Sequence, residues 1–191
     1  MEKFKALCIA LMAYCGLQAQ MTIKPAVGVN FTDFSKDPES GEIKSRVGYQ
    51  VGGSVAFGKK FYLEPGIFWT SKSTKVVSDF DDEIKGEING IRIPVAIGIR
   101  LLGSDSAGTG GLRIFGGGSA FFLTGTGGDF DKDEFEKAFW GVFAGVGIDF
   151  WKLFLDASYE WSLTNVQKDV QDVDVGKSRS IFINAGIRIT L

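Results

Sequence analysis

The last residues of the chain, RSIFINAGIRITL (Arg179–Leu191), alternate between apolar residues and polar or small ones. One face of this segment is apolar throughout and carries Ile181, Ile183, Ala185, Ile187, Ile189 and Leu191. A period of two residues is typical of a β-strand whose two faces meet different surroundings. Similar alternation predicts strands at 23–34, 46–58, 61–77, 87–101, 112–124, 138–150, 153–163 and 179–191. Eight strands with no helical stretch between them predict an all-β fold, an eight-stranded antiparallel up-and-down β-barrel.

The start of the chain differs in character from the rest. Lys3 and Lys5 precede an apolar run that ends in the small-residue segment GLQAQ (Gly16–Gln20). A basic start, a short apolar run and a small-residue exit are typical of a secretory signal peptide. The sequence therefore predicts a cleaved signal peptide at 1–19 and a single barrel domain at 20–191.

The composition excludes several kinds of chemistry. Both cysteines, Cys8 and Cys15, lie in the predicted signal peptide, and the chain has no histidine. The mature protein would therefore lack thiol catalysis, cysteine-based metal sites and the commonest general base. The net charge of −2 offers a nucleic-acid partner no electrostatic attraction. We expect no cofactor, no metal site and no nucleic-acid partner.

The predicted connections alternate between short and long. Two are tight turns, at 58–60 and 151–152, and a third is the Gly- and Ser-rich linker at 102–111. The long connections carry 15 of the 23 acidic residues and lie at 35–45, 78–86, 125–137 and 164–178. Short turns on one rim and long loops on the other are typical of outer-membrane barrels. We expect the acidic loops to face the outside and to be the region that a protein partner would contact.

The two faces of the predicted strands differ in side-chain size. One face is apolar, whereas the other carries many glycines, for example Gly28, Gly52, Gly98 and Gly145. Because small residues fit the crowded interior of a narrow barrel, the apolar face is predicted to point outward into lipid. Outward aromatic residues fall at two levels, roughly 20–25 Å apart at ~3.3 Å per residue and a strand tilt of about 40°. These predicted membrane-girdle aromatics are Phe31, Tyr49, Phe57, Phe61, Trp69, Phe122, Trp140, Phe150, Trp151, Tyr159 and Trp161.

Charged residues also occur on the predicted inner face. An unpaired charge in a narrow lumen would cost several kcal/mol, so these residues are expected to pair with one another. The interpretation that we favour is a plug of salt bridges that fills the lumen. The predicted members of this charge network are Lys24, Glu64, Arg92, Arg100, Arg113, Asp149, Asp156, Glu160 and Arg188.

Two pairings are predicted within this set. Arg188 is expected to pair with Asp149 or Asp156, and Glu64 with Arg100 or Arg113. A selective pore lined by the same residues is an alternative. Paired carboxylates acting as general acid and base are a weaker one, because no nucleophile or histidine accompanies them.

The acidic segment GDFDKDEFE (Gly128–Glu136) superficially resembles a calcium-binding loop. It has Glu134 where such a loop needs glycine, and Trp140 where it needs a bidentate glutamate. A hydrated acidic loop is therefore favoured over specific calcium binding. Weak bridging by divalent cations to neighbouring lipopolysaccharide is a further alternative.

Several motifs together resemble a known family. They are KPAVGVNF (Lys24–Phe31), FYLEPGIFW (Phe61–Trp69), IRIPVAIGIRL (Ile91–Leu101) and INAGIRITL (Ile183–Leu191), after a signal segment that ends in QAQ. The chain resembles the outer-membrane β-barrel domain family typical of Bacteroidota, whose members are often called PorT-like or porin-family proteins. The resemblance implies an integral outer-membrane protein, and one branch of the family participates in protein secretion.

The sequence therefore predicts a transmembrane barrel in the cell outer membrane with a structural or interaction role and no enzymatic activity. Its expected surroundings are outer-membrane lipid and lipopolysaccharide. Two alternatives stay open: a narrow, porin-like transport protein, and an accessory barrel of a protein secretion system. A lipid-modifying enzyme is disfavoured, because small barrels of that kind usually rely on a histidine.

Overall fold

A closed antiparallel β-sheet forms the whole of the described structure. The computed structural model describes residues 20–34, 42–45, 47–77, 83–102, 110–128, 138–164 and 178–191. Its strands are β1 (Met21–Phe34), β2 (Glu42–Ser45), β3 (Val47–Phe57), β4 (Phe61–Val77), β5 (Glu83–Leu102), β6 (Gly111–Gly128), β7 (Ala138–Phe150), β8 (Leu153–Ser162), β9 (Ser178–Ile187) and β10 (Ile189–Thr190). The described residues include no helix of the length and apolarity needed to cross a membrane.

From β3 to β9 each strand pairs with the next one along the chain, β1 pairs with β3, and the last strands return to β1. Strands β9 and β10 both pair with β1, which closes the sheet. Strands β2 and β3 both pair with β4 and together occupy one of the eight strand positions of the barrel. Strands β9 and β10, which both pair with β1, together occupy another. The result is an eight-stranded antiparallel barrel, which confirms the predicted fold.

The interior of the barrel is polar and the exterior is apolar. Lys24, Asn30 and Arg92 are at most 3% exposed, whereas Val27 and Ile97 are more than 60% exposed. This distribution is the reverse of that in a protein surrounded by water, and it is typical of a barrel whose outer wall contacts lipid. The two faces of the strands thus point in the predicted directions.

The turn between β7 and β8 fixes the register of that hairpin. Trp151 has a φ of 53°, and the first central residue of a two-residue hairpin turn of type I′ or II′ requires a positive φ. Phe150 then pairs with Leu153, and Gly147 pairs with Asp156, as the sequence predicts. Asp149 and Asp156 are thereby brought to neighbouring positions on the inner face.

The strands extend further on the long-loop side than the sequence predicts. Residues 42–45, 83–86 and 125–128, predicted to lie in loops, are strand: Glu42 pairs with Val77, and Gly86 pairs with Gly128. The backbone ladder continues because its hydrogen bonds do not depend on side-chain polarity. Alternating hydrophobicity reports a strand only where its two faces meet different surroundings, and that contrast ends where the barrel leaves the membrane.

The predicted closing strand is interrupted at Arg188. The pairs Ala26–Gly186 and Ile23–Ile189 place Pro25 opposite Ile187. Proline has no N–H to donate to the ladder, which accounts for the break between β9 and β10. The prediction of one continuous strand at 179–191 was wrong at this point.

Other predictions fall outside the described residues. They concern the signal peptide at 1–19, most of the calcium-like segment at 128–136, and the central parts of the four long loops, at 35–41, 78–82, 129–137 and 165–177.

Candidate functional site

Six charged side chains meet inside the short-turn half of the barrel, and we call them the lower network: Lys24, Glu64, Arg113, Asp149, Asp156 and Arg188. Arg113 on β6 lies at the centre of this group. Its Nη2 is 2.7 Å from Oδ1 of Asp156, and its Nε donates to Oδ2 of Asp149 at 2.9 Å. One guanidinium therefore binds both carboxylates that the β7–β8 turn brings together.

Lys24 connects this centre to the first strands of the barrel. Its Nζ donates to Oε1 of Glu64 at 2.8 Å and to Oδ2 of Asp156 at 3.1 Å. Glu64 also accepts a hydrogen bond of 2.6 Å from the Ser54 hydroxyl, and lies 3.9 Å from Nη1 of Arg113. Three strands that are not all neighbours in the sheet are thus joined across the lumen.

Arg188 completes the lower network beside the barrel seam. Its Nη1 is 3.1 Å from Oδ2 of Asp149. The six members comprise three cations and three anions, so the lower network is neutral overall. Because Arg113 and Asp149 are almost completely buried, removal of either partner would leave an uncompensated charge in the lumen.

A second group, the upper network, comprises Lys72, Arg92, Ser119 and Glu160. Nη2 of Arg92 lies 2.6 Å from Oε2 of Glu160, and that oxygen also accepts a hydrogen bond of 2.8 Å from Ser119. Nζ of Lys72 is 3.9 Å from Oε1 of Glu160. The upper network therefore has two cations for one carboxylate.

Aromatic rings contact the cations of the upper network. The Arg92 guanidinium lies 4.3 Å from the centroid of the Phe182 ring. Nζ of Lys72 lies 5.2 Å from the centroid of Phe121 and 5.5 Å from that of Phe182. Such contacts stabilise a cation by the negative electrostatic potential of the ring face.

Lys72 was missing from the predicted charge network, although its position on the strand indicates its orientation. It lies four residues beyond the inward-facing Phe68 on β4, so it shares the parity of Phe68 and of Glu64. The two-residue alternation along β4 therefore indicates that Lys72 faces inward.

Arg100 lies at the short-turn rim. Its Nη1 donates to the carbonyl of Gly58 at 2.9 Å and to that of Lys59, and its guanidinium lies 5.0 Å from the centroid of the Tyr62 ring. Arg100 and Arg113 are directly opposite each other in the β5–β6 ladder. Because like charges at opposed positions repel, the two side chains point to different partners. The structure thus places Arg113, and more closely Lys24, beside Glu64.

A cavity of about 50 Å³ separates the two networks. A cavity of this size has room for a few water molecules. Glu64 and Asp156 reach it from the lower network, and Arg92 reaches it from the upper network. Its remaining walls come from Ala26, Ser54, Phe68, Pro94, Ala96, Phe115, Phe143, Phe154, Ser158 and Asn184.

Neutral polar side chains form a further layer that the sequence analysis did not identify. The Thr70 hydroxyl donates to Oε1 of Gln50 at 3.2 Å, and Nε2 of Gln50 donates to Oδ1 of Asn184. The hydroxyls of Thr32 and Ser180 lie 2.9 Å apart. These residues face inward by the same alternation as the charged residues.

Aromatic residues form clusters on the outer wall. The rings of Tyr49 and Trp69 have centroids 5.5 Å apart, and those of Tyr159 and Trp161 are 4.7 Å apart. Phe57 and Tyr159 are half-buried against the wall. The other predicted girdle residues are exposed on it: Phe31, Tyr49, Phe61, Trp69, Phe122, Trp140, Phe150, Trp151 and Trp161.

The described lumen is suited to ion pairing. Each carboxylate of the two networks lies within 3.1 Å of a lysine or arginine nitrogen. Within the described ranges, no group of three or more histidine, cysteine, aspartate or glutamate side chains could hold a metal ion.

Comparisons with known proteins place this barrel in a family. The chain matches the family model described as "Outer membrane protein beta-barrel domain" over residues 18–168. No curated protein matches the sequence at a significant level. The structure is similar to that of the outer membrane protein OprG from Pseudomonas aeruginosa, with a TM-score of 0.55 at 9% identity over 90% of this chain and 95% of that chain.

Two further solved structures are similar at greater distance. Neisserial surface protein A matches with a TM-score of 0.47 at 14% identity, over 90% of this chain and 97% of that chain. Ail, the attachment invasion locus protein of Yersinia pestis, was solved in complex with the heparin analogue sucrose octasulfate. It matches with a TM-score of 0.46 at 12% identity, over 90% of this chain and 99% of that chain. Since the family match covers well over half of the sequence, the chain belongs to the outer membrane β-barrel domain family and is a β-barrel protein of the outer membrane.

Proposed function

We propose that the protein is a closed barrel with a structural or interaction role, whose lumen is plugged by side chains and whose acidic loops act outside the cell. The lower network is the observation that carries this proposal. Its members come from β1, β4, β6, β7, β8 and the β9–β10 junction, so ion pairs cross the lumen in several directions. An eight-stranded barrel has an interior just wide enough for side chains to fill.

A narrow pore is the alternative that an experiment must separate from the plug. We expect the full-length mature protein, reconstituted in planar lipid bilayers, to give no unitary conductance steps at 1 M KCl. Lys24→Ala combined with Glu64→Ala removes one cation and one anion and widens the lumen without changing its net charge. This double variant is expected to conduct ions.

A matched control removes similar volume from the outer wall, as Leu63→Ala combined with Ile97→Ala. This control variant should give no unitary conductance steps, like the unaltered protein. Regular conductance steps from the unaltered protein would contradict the plug and favour a porin-like transport role. The absence of conductance steps from the Lys24 and Glu64 double variant would show that other lumen residues close the barrel.

The proposal includes the absence of enzymatic activity. It is supported by the absence of histidine from the sequence, since histidine is the commonest general acid or base. A cleaved signal peptide at 1–19 and an affiliation with the PorT-like proteins typical of Bacteroidota also belong to the proposal. The strand motifs quoted above support that affiliation.

The interaction role rests on the charge of the long loops. The segments predicted as long loops contain 15 of the 23 acidic residues of the chain, of which Glu42 and Glu83 lie in described strands. A partner with a basic surface, or divalent cations shared with lipopolysaccharide, would therefore be attracted to them. Neutralisation of the five acidic residues in 129–136 should weaken recovery of a partner from native membranes. Equal recovery with and without these charges would contradict an electrostatic role for this loop.

A further inference from the structure

A groove interrupts the lipid-facing wall of the barrel over β1, β3 and β4. It is a shallow, open depression with a volume of about 440 Å³. Apart from Ser54, whose hydroxyl donates to Glu64, its lining contains no residue of the lumen cavity or of the two charge networks. It is lined by Ile23, Pro25, Gly52, Gly53, Ser54, Val55, Pro65, Gly66 and Ile67.

The sequence explains why the wall is hollow here. Gly53 faces outward and pairs with Pro25 on one side and with Ile67 on the other. A glycine with a proline beside it leaves little side-chain volume in that row. In the next row Val55 pairs with Ile23, and the β3–β4 register places Pro65 on the other side of Val55. Backbone therefore forms the floor, and Ile23, Val55 and Ile67 form the walls.

The groove lies above the aromatic girdle of the short-turn rim. Phe57 belongs to that girdle, and Gly53 precedes Phe57 by four residues on β3. At ~3.3 Å per residue and a tilt of about 40°, Gly53 lies roughly 10 Å above Phe57 along the membrane normal. In outer-membrane barrels the short turns face the periplasm, so the groove faces the acyl region of the periplasmic leaflet.

We propose that this groove seats an acyl chain of a phospholipid of the periplasmic leaflet. The groove is continuous with the lipid-facing wall, where Val27 and Ile67 are about 60% exposed, so acyl chains already surround it. Its walls consist of branched aliphatic side chains and proline, which suit a hydrocarbon chain and provide no charged group for a headgroup.

The proposal can be tested by photo-crosslinking in vesicles. The mature protein would be reconstituted in phosphatidylcholine that contains a fraction of lipid with a diazirine in one acyl chain. After irradiation, mass spectrometry would map the labelled residues. Labelling of Ile23 and Ile67 is expected to exceed, several-fold, the labelling of Val146, which faces outward on β7, across the barrel from β3.

Two matched variants test whether the groove causes this excess. Val55→Phe fills the groove and should remove the excess labelling at Ile23 and Ile67. Val142→Phe makes the same change beside the outward Gly118 and should leave that excess in place. A second lipid with the diazirine in its headgroup should label the residues near Phe57 and not Ile67.

Three results would overturn the proposal. The first is equal labelling of Ile67 and Val146 in the unaltered protein, which contradicts the proposal even if Val55→Phe does not fold. The second is excess labelling that persists in a folded Val55→Phe variant, as judged by its resistance to SDS before boiling. The third is an unlabelled groove accompanied by cross-links between two copies of the chain, which would assign the groove to self-association.

Discussion

The lower and upper networks contain the same kinds of charged side chain but neutralise them differently. In the lower network three cations face three anions, and Arg113 contacts two carboxylates at hydrogen-bond distance. In the upper network Arg92 binds the carboxylate of Glu160. Nζ of Lys72 lies 3.9 Å from that carboxylate, beside two phenylalanine rings.

The difference indicates which half of the lumen depends on ion pairing. Removal of a central charge from the lower network leaves opposite charges buried without compensation. In the upper network Ser119 and the aromatic rings share the stabilisation, so the loss of one cation changes less. The two halves should therefore respond differently to matched substitutions.

The largest effect is expected from Arg113→Met. This change keeps much of the side-chain volume but leaves Asp149 and Asp156 next to each other with one cation fewer. It should lower the free energy of unfolding by about 3–5 kcal/mol, measured by urea unfolding in lipid vesicles and by loss of SDS resistance at room temperature.

Arg188→Met is the control for this prediction. The Arg188 side chain is more exposed than that of Arg113, at 21% against 3%, and Asp149 keeps Arg113 when Arg188 is removed. A loss of about 1 kcal/mol or less is expected, as for partly exposed pairs. Equal losses for the two variants would contradict the central position of Arg113 in the energetics.

The next effect compares an arginine inside the barrel with one outside it. Val146→Arg places a cation on the lipid-facing wall, where Val146 is 51% exposed. It should lower the free energy of unfolding by about 2–4 kcal/mol near the bilayer midplane. Lys168→Arg, in a predicted loop, should change it by almost nothing, and similar losses for both would mean that Val146 does not face lipid.

Much of the fold could be predicted because the two-residue period survives wherever the wall separates lipid from lumen. The turn at Trp151 also fixed the partners of Asp156 and Asp149 within the hairpin, since a two-residue turn leaves one register. The period could not reveal the strand extensions at 83–86 and 125–128, where both faces leave the membrane. It also could not reveal the break opposite Pro25, which depends on the neighbouring strand.

The partners across the lumen were harder to predict than the faces. Arg188 lies against Asp149, one of its two expected partners. Glu64 lies 3.9 Å from Arg113, one of its two expected partners, but its shortest ion pair is with Lys24, two positions away in the strand order. Such contacts depend on barrel curvature and on the reach of long side chains, neither of which appears in a period along one strand.

A smaller loss is expected from Arg92→Met in the upper network. Glu160 would lose its closest cation but keep the Ser119 hydroxyl, and Lys72 could approach it. The free energy of unfolding should fall by about 1–3 kcal/mol, the cost of a buried polar group that is partly unsatisfied. The same urea titration measures it, and a loss as large as that of Arg113→Met would remove the distinction between the two networks.

The smallest effect is expected from Lys72→Met. Its Nζ is 3.9 Å from Glu160 and 3.4 Å from the Ser180 hydroxyl, both long contacts. Met retains an apolar stem that can pack against Phe121 and Phe182, while Arg92 continues to neutralise Glu160. We expect a change of less than about 1 kcal/mol, in either direction, since removal of the second cation also relieves its repulsion with Arg92.

The double variant Arg92→Met with Lys72→Met should then lose more stability than the sum of the two single losses, because only in the double variant does Glu160 lack a cation. Strict additivity in this cycle would show that Lys72 does not replace Arg92, and the upper network would then depend on a single ion pair.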